Sequence, residues 1–382
     1  DGVTLLGEGE VMVRARYAET LGEIMRGGAD ALYRGELAET LAKDIQDAGG
    51  VITAADISNY RPVLRDPLIA SVSGYTVVGA PPPSSGGGAI IGALRFLSGF
   101  VHPYSALADT LSKHWYVEAC RHVFAIRMSL SDPAFAPEEN ADAVADLLEG
   151  GYMESLRRMT SDDAPLGLSQ YGGLKWAQLK DADGDGALVD AQEGDRRRRK
   201  RRRGTVSRNT RLFNYLEDHG TTSLTVVDKD RNTVTITSSV NVEFGSKVIS
   251  PSTGIILNNQ MDDFSSPGHV NFFGLRPSPA NYVAPGKRPL SSMSPTMVFR
   301  HGESNGPADA ADGTDMGKLV LSLGGSGGPK IITAVLQTIL NVAFVGMPLY
   351  EAVAAPRVHD QLLYHGAAGT NVEACVLPQG PS

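Results

Sequence analysis

Hydrophobic positions in the first sixty residues recur at helical spacing. Leu37, Leu41 and Ile45 fall four residues apart, and Gly27-Gly28 and Gly49-Gly50 interrupt the pattern, so Val11 to Asn59 reads as two successive helices stopped by glycine. The period then changes to two. Ser71 to Gly79 alternates as a strand does, and Pro81-Pro82-Pro83-Ser84-Ser85-Gly86-Gly87-Gly88 ends it in a turn that leads into an apolar helix, Ala89 to Leu97. Leu111 to Ser131 predicts a further helix, closed by Asp132-Pro133. Alternation returns from Thr221 to Asp228 and from Thr233 to Val240. The turn residues Asp230-Arg231-Asn232 lie between these runs, which predicts a hairpin entered through Gly220-Thr221.

Composition narrows the class. At 382 residues, with 42% hydrophobic and 20% charged positions, the chain suits one large or two intimate globular domains. A formal net charge of -8 argues against nucleic acid as a partner, because phosphate contacts demand a basic face. Cys120 and Cys375 specify neither a disulfide framework nor a metal site. His114 and His122 share the predicted helix with Cys120 but are eight residues apart with no third ligand nearby, so they read as ordinary helix residues. The glycines after Ser85 lack the Gly-Lys-Thr ending of a phosphate loop and read as a turn. No apolar run of about 18 residues or more occurs, and no signal-like segment follows Asp1.

From about Gly150 to Arg203 the composition changes. Asp181, Asp183, Asp185 and Gly186, with Leu188, match the first half of a calcium loop. The closing carboxylate falls on Gln192, with Glu193 one step late, so a solvated acidic loop is the competing reading. Eight consecutive cations follow, Arg196 to Arg203; such a block repels itself and reads as a solvated loop. The whole stretch reads as an insertion.

Candidate chemistry centres on Gly220-Thr221. A threonine hydroxyl needs a base beside it, and cutting the chain ahead of it turns its own α-amine into that base. Taken alone, the dipeptide is equally a turn followed by a β-branched residue. Four blocks follow it in order: Ser239-Val240-Asn241, Gly254 to Ser265, Pro289-Leu290-Ser291-Ser292-Met293-Ser294-Pro295-Thr296, and Gly327-Gly328-Pro329-Lys330-Ile331-Ile332-Thr333. Together they resemble the small subunit of the γ-glutamyltranspeptidases, N-terminal-nucleophile hydrolases, and the resemblance runs from about Ala29 to about Gln361.

The resemblance implies an α+β fold, the αββα sandwich of those hydrolases, and an enzyme cut between Gly220 and Thr221. Residues 1–220 then correspond to the later part of a large subunit and residues 221–382 to a small subunit. Thr221 is implied as nucleophile and Ser239 as its hydroxyl support, where the family has threonine; as a plain strand residue Ser239 would need no such role. Asn241, Gln260 and Asp263 match the family's ammonium pocket, and Ser291 and Ser292 its donors to the α-carboxylate. Gly327 and Gly328 match its oxyanion amides, with Pro329 departing from the usual order of that loop.

The implied substrates are a γ-glutamyl donor such as glutathione and an amino acid or dipeptide acceptor, with no cofactor and no metal. The implied location is extracytoplasmic. The family's arginine near the start of the large subunit has no counterpart here, and the chain reads as a fragment of a longer protein. A related amide acylase, or an uncut homologue with an interaction role, are the other readings.

Overall fold

Why residues 15–47 break into three helices, where spacing predicts two for that region, is visible at the glycines. The structure, a computed structural model, describes residues 7–100, 109–177, 220–302, 316–363 and 371–373. Helix α1 (Ala15–Gly27) closes at Gly28, whose φ of 66° suits glycine and whose N–H bonds Ile24 O at 2.8 Å. Gly35 is extended and separates α2 (Ala29–Arg34) from α3 (Glu36–Asp47). Thr53 and Asp56 form a capping box that starts α4 (Ala54–Asn59).

Two compact units result. The first comprises Asp1–Arg65 and Val240–Asn259. Its two stretches of chain are joined by Asp44, buried near the end of α3, which accepts from Ser250 Oγ (2.5 Å), Ser252 N (3.0 Å) and Ser252 Oγ (3.1 Å). Thr20 Oγ1 donates to Thr253 O at 2.9 Å in the same unit.

The second unit comprises Asp66–Ser239 and Gln260–Ser382. Where alternation predicts one strand over Ser71 to Gly79, the chain makes a hairpin, β1 (Leu68–Val72) and β2 (Tyr75–Gly79). Ser73 and Gly74, both at positive φ, supply its two-residue turn. Helix α5 (Gly86–Leu97) is buried on all sides, with Ile90, Ile91, Leu94 and Phe96 fully inaccessible, as its unbroken apolar run requires. It packs on the first hairpin and on α6 (Thr110–Arg127), α7 (Pro137–Leu148) and α8 (Gly150–Met159). Met153 and Leu156 of α8, Tyr171, and Trp176 of the short α9 (Gly173–Trp176) belong to the same core. The change of composition near Gly150 therefore begins inside packed structure. Asp181 to Glu193 and Arg196 to Arg203 lie outside the described residues.

The predicted second hairpin is present as β3 (Thr221–Val227) and β4 (Thr233–Ser239). Strands β5 (Thr296–Arg300) and β6 (Lys318–Leu323) extend the first hairpin into an antiparallel sheet of order β1-β2-β5-β6. The β3–β4 hairpin lies against β6, with Thr233 Oγ1 donating to Ser322 Oγ (2.9 Å) and Arg231 Nη2 to Leu319 O (3.0 Å). Its alternation is inverted relative to an ordinary half-buried hairpin. Thr221, Ser223, Thr225, Thr235, Thr237 and Ser239 share the sheltered face, whereas Leu224, Val226, Val234 and Ile236 are each more than half exposed.

After β6 come α10 (Lys330–Ile339), α11 (Leu349–Ala354) and β7 (Arg357–His359), which pairs with β8 (Asn371–Glu373). Fully buried Asp360 accepts from Arg121 Nε at 3.0 Å, tying this tail to α6. Arg121 also meets Glu118, whose Oε1 accepts from Tyr171 Oη at 2.6 Å, so these buried charges are paired, while Glu118 Oε2 has no hydrogen-bond partner among the described residues.

Candidate active site

The sheltered face of the β3–β4 hairpin is a row of hydroxyls, and its open end carries Thr221. Antiparallel register places Thr221 opposite Ser239, the last residue of β4, and their hydroxyls are 2.9 Å apart. That distance is a hydrogen bond in which either oxygen can donate. Residues 221, 223 and 225 point the same way because side chains alternate along a strand.

The chain leaving β6 runs beside this face: a Cβ on Gly324 would fall 2.2 Å from Ser223 Oγ. Ser223, Thr225, Ser322, Gly325 and Ser326 line a cavity of about 390 Å³ there. Further along, Gly327 and Gly328 stand at φ 123° and 58°, conformations that L side chains rarely adopt. Gly328 has a second constraint, since an added Cβ would lie 2.6 Å from the Phe273 ring. Neither glycine N–H has an acceptor among the described residues, so two adjacent amide donors are presented together. Pro329 is accommodated at the N-cap of α10, where its φ of -59° is the one its ring imposes.

A second cluster surrounds Asp263. Gln260 Nε2 donates to Asp263 Oδ2 within one turn of 3₁₀ helix, and Asn281 Nδ2 holds the Asp263 carbonyl at 2.7 Å. Asn241 lies in the first compact unit, buried at φ 75°, with Nδ2 donating to Asn259 O at 3.3 Å.

Ser291 and Ser292 are oriented by a residue that sequence reasoning does not single out. Arg127, the last residue of α6, is buried and donates from Nη2 to Ser292 Oγ (2.8 Å) and from Nε to Ser85 Oγ (2.9 Å). Ser85 in turn bonds Ser291 O twice, from N and from Oγ, each at 2.7 Å. Met293 N donates to Ser291 Oγ at 3.1 Å. Both serine hydroxyls are thus supplied with donors by the protein, which leaves their own protons to donate outward. Burial lowers the Arg127 guanidinium to about 10, with the Asp263 charge opposing that fall, so it stays cationic at neutral pH and shares a neighbourhood with Asp263. The signal in the sequence is a lone cation after the apolar run Val123-Phe124-Ala125-Ile126.

Gly86 seals this arrangement: any Cβ there would be 2.0 Å from Ser294 Oγ and 2.5 Å from Met293 O. Gly86 therefore serves close approach of the α5 start to the Ser291–Ser294 segment, and the three glycines that the sequence reads as a turn form instead the first turn of α5. No cluster of three or more His, Cys, Asp or Glu able to hold a metal occurs among the described residues. Cys120 is buried in the core, which pushes its thiol far above the ordinary range. No described helix is long and apolar enough to cross a membrane.

The γ-glutamyltranspeptidase family model matches residues 2–378. Glutathione hydrolase 2 of Arabidopsis thaliana is 37% identical over 95% of the chain and 54% of its own length. Glutathione hydrolase proenzyme 1 of Schizosaccharomyces pombe is 35% identical over 93% of the chain and 48% of its own length. The chain thus spans about half the length of the curated relatives it matches. Among solved structures, a cephalosporin acylase from Bacillus halodurans superimposes with a TM-score of 0.63 at 24% identity, covering 92% of this chain and 51% of that one. That likeness concerns the fold alone, a mixture of helices and strands as in the α+β class.

Proposed function

Because the chain belongs to the γ-glutamyltranspeptidase family, we propose that the whole protein is an autoprocessed γ-glutamyl hydrolase and transferase with Thr221 as nucleophile. The observation that carries this reading is the Thr221–Ser239 hydroxyl pair at 2.9 Å, immediately after Gly220 at the mouth of a hydroxyl-lined hairpin.

In maturation, Thr221 Oγ1 attacks the Gly220 carbonyl and its proton passes to the departing nitrogen. The resulting ester is hydrolysed by water, giving a Gly220 carboxylate and a free Thr221 α-amine. In turnover that amine takes the Thr221 hydroxyl proton as the oxygen adds to the donor's γ-carbonyl. Negative charge developing on the carbonyl oxygen is met by the Gly327 and Gly328 amides, donors of a kind worth a few kcal/mol each. The ammonium returns its proton to the leaving amine, and a γ-glutamyl ester on Thr221 remains. Water or the amine of an amino acid or dipeptide then attacks that ester with the same proton relay in reverse.

Glutathione is the donor this reading favours. Asp263, with Gln260, would hold its α-ammonium, and Ser291 and Ser292 its α-carboxylate, because a zwitterionic carbon needs acceptors on one side and donors on the other. Ser239 keeps the Thr221 hydroxyl aimed.

The test is the full-length protein on a denaturing gel, followed by sequencing of the new amino terminus. It should run as two bands, the smaller beginning at Thr221, and Thr221→Ala should stay a single chain without activity on a γ-glutamyl anilide. An intact wild-type chain that still turns over that substrate would overturn the assignment.

A further inference from the structure

The buried Arg127 has only neutral hydrogen-bond partners among the described residues: two hydroxyls, on Ser85 and Ser292, and the Met128 sulfur at 3.7 Å. A guanidinium carries five N–H donors, and two strong bonds leave it under-satisfied where water is scarce. A buried cation is costly unless an anion or several good acceptors compensate it. The negative end of α6 supplies part of that compensation, since Arg127 is the last helical residue.

Helix-end pairing and packing account for the contact to Ser85. They do not account for the Nη2 bond to Ser292, which fills that hydroxyl's acceptor site and directs its proton outward. Asp263 acts on the same guanidinium. Opposite charges therefore share the neighbourhood of Ser292, as a ligand with ammonium and carboxylate on a single carbon requires.

We infer that Arg127 is a positioning residue for donor recognition, polarising Ser292 so that this hydroxyl binds the α-carboxylate of the γ-glutamyl group. The inference rests on the proposed function and adds a residue to its specificity. Through Ser85, which Arg127 also holds, the same guanidinium steadies the Ser291 carbonyl and so the backbone of both serines.

The experiment compares two anilides on the processed full-length enzyme: the γ-glutamyl anilide, and 4-aminobutanoyl anilide, which lacks only the α-carboxylate. Arg127→Gln should raise KM for the first by about tenfold to a hundredfold, with a smaller change in kcat. It should change kcat/KM for the second by less than about threefold. Ser292→Ala should show the same selectivity, and adding it to Arg127→Gln should cost little more, since the two act as one unit. Arg127→Lys, which keeps the charge but not the fork, should recover part of the loss.

Equal losses on both substrates would reduce Arg127 to a packing residue and overturn the inference. So would an unchanged KM for the γ-glutamyl anilide. Should Arg127→Gln fail to mature into two bands, Arg127→Lys and Ser292→Ala decide on the same criterion. The underlying functional reading fails separately, by a wild-type enzyme without turnover of the γ-glutamyl anilide.

Discussion

His122 shows how far burial alone can move a residue from its ordinary chemistry. It is wholly enclosed in α6, its Nδ1 accepting from Gly172 N at 3.1 Å, its ring packed against Phe96 and Tyr171, and its Nε2 without a partner among the described residues. Burial lowers its pKa to about 3, so the imidazole is neutral in the folded chain across the physiological range. Below about pH 6.5 the unfolded chain takes up a proton that the folded chain refuses, and stability from this group falls as pH falls. Between pH 7.5 and 5 the loss should be about 2 kcal/mol. Urea midpoints at the two pH values measure it: the wild-type midpoint should drop at pH 5, and His122→Gln should show a drop smaller by about that amount. An identical acid drop in the variant would place the sensitivity elsewhere. The contrast with Arg127 is instructive, because burial depresses both, yet only Arg127 reaches candidate site residues.

At the scale of elements, the loop between β6 and α10 is the most constrained piece. Gly327 and Gly328 are both at positive φ, and Gly328 also abuts the Phe273 ring, itself tied by its carbonyl to Gln361 Nε2 at 3.0 Å. Gly328→Ala should cost about 2 to 4 kcal/mol in strain and overlap, and should displace the two amides. A thermal melt should show the first effect. A fall in kcat of at least tenfold on the γ-glutamyl anilide should show the second; unaltered kcat would remove this amide from the proposed oxyanion site. In the sequence this loop was marked only by its resemblance to the family's oxyanion loop, and the positive φ of both glycines belongs to the structure. The orientation of the β3–β4 hairpin was not legible there. Alternation shows that hydroxyls and aliphatics occupy opposite faces, but which face is sheltered depends on what packs there, and it is the hydroxyl face that meets β6.

For the whole molecule, the chain's return to the first unit after Ser239 is tied by one buried carboxylate with three hydrogen bonds, beside the bonds from Arg14 and Thr20. Burial works to raise the Asp44 pKa, but hydrogen bonds from Ser250 and Ser252 together bring it below the usual value, so the charged form is the one the fold uses. Its stabilisation is present above the ordinary aspartate range and is lost as pH falls through the folded value. Asp44→Ala leaves these donors without their acceptor and should cost about 2 to 4 kcal/mol. Hydrogen exchange should register the loss across residues 240–259 and spare α5 and α6; uniform protection in the variant would contradict it. What the sequence determined by itself was whatever depends on neighbours along the chain: the helical and strand periods, the glycine stops, the hairpin that brings Thr221 opposite Ser239, and the ordered blocks that mark the family. Only the tertiary structure decided that Arg127 reaches Ser292 from 165 residues away, and that Asp44 reaches Ser250 across 206. Such contacts leave no period or spacing, because long-range pairing is set by how packed elements meet, and a single buried charge reads the same along the chain whatever it touches.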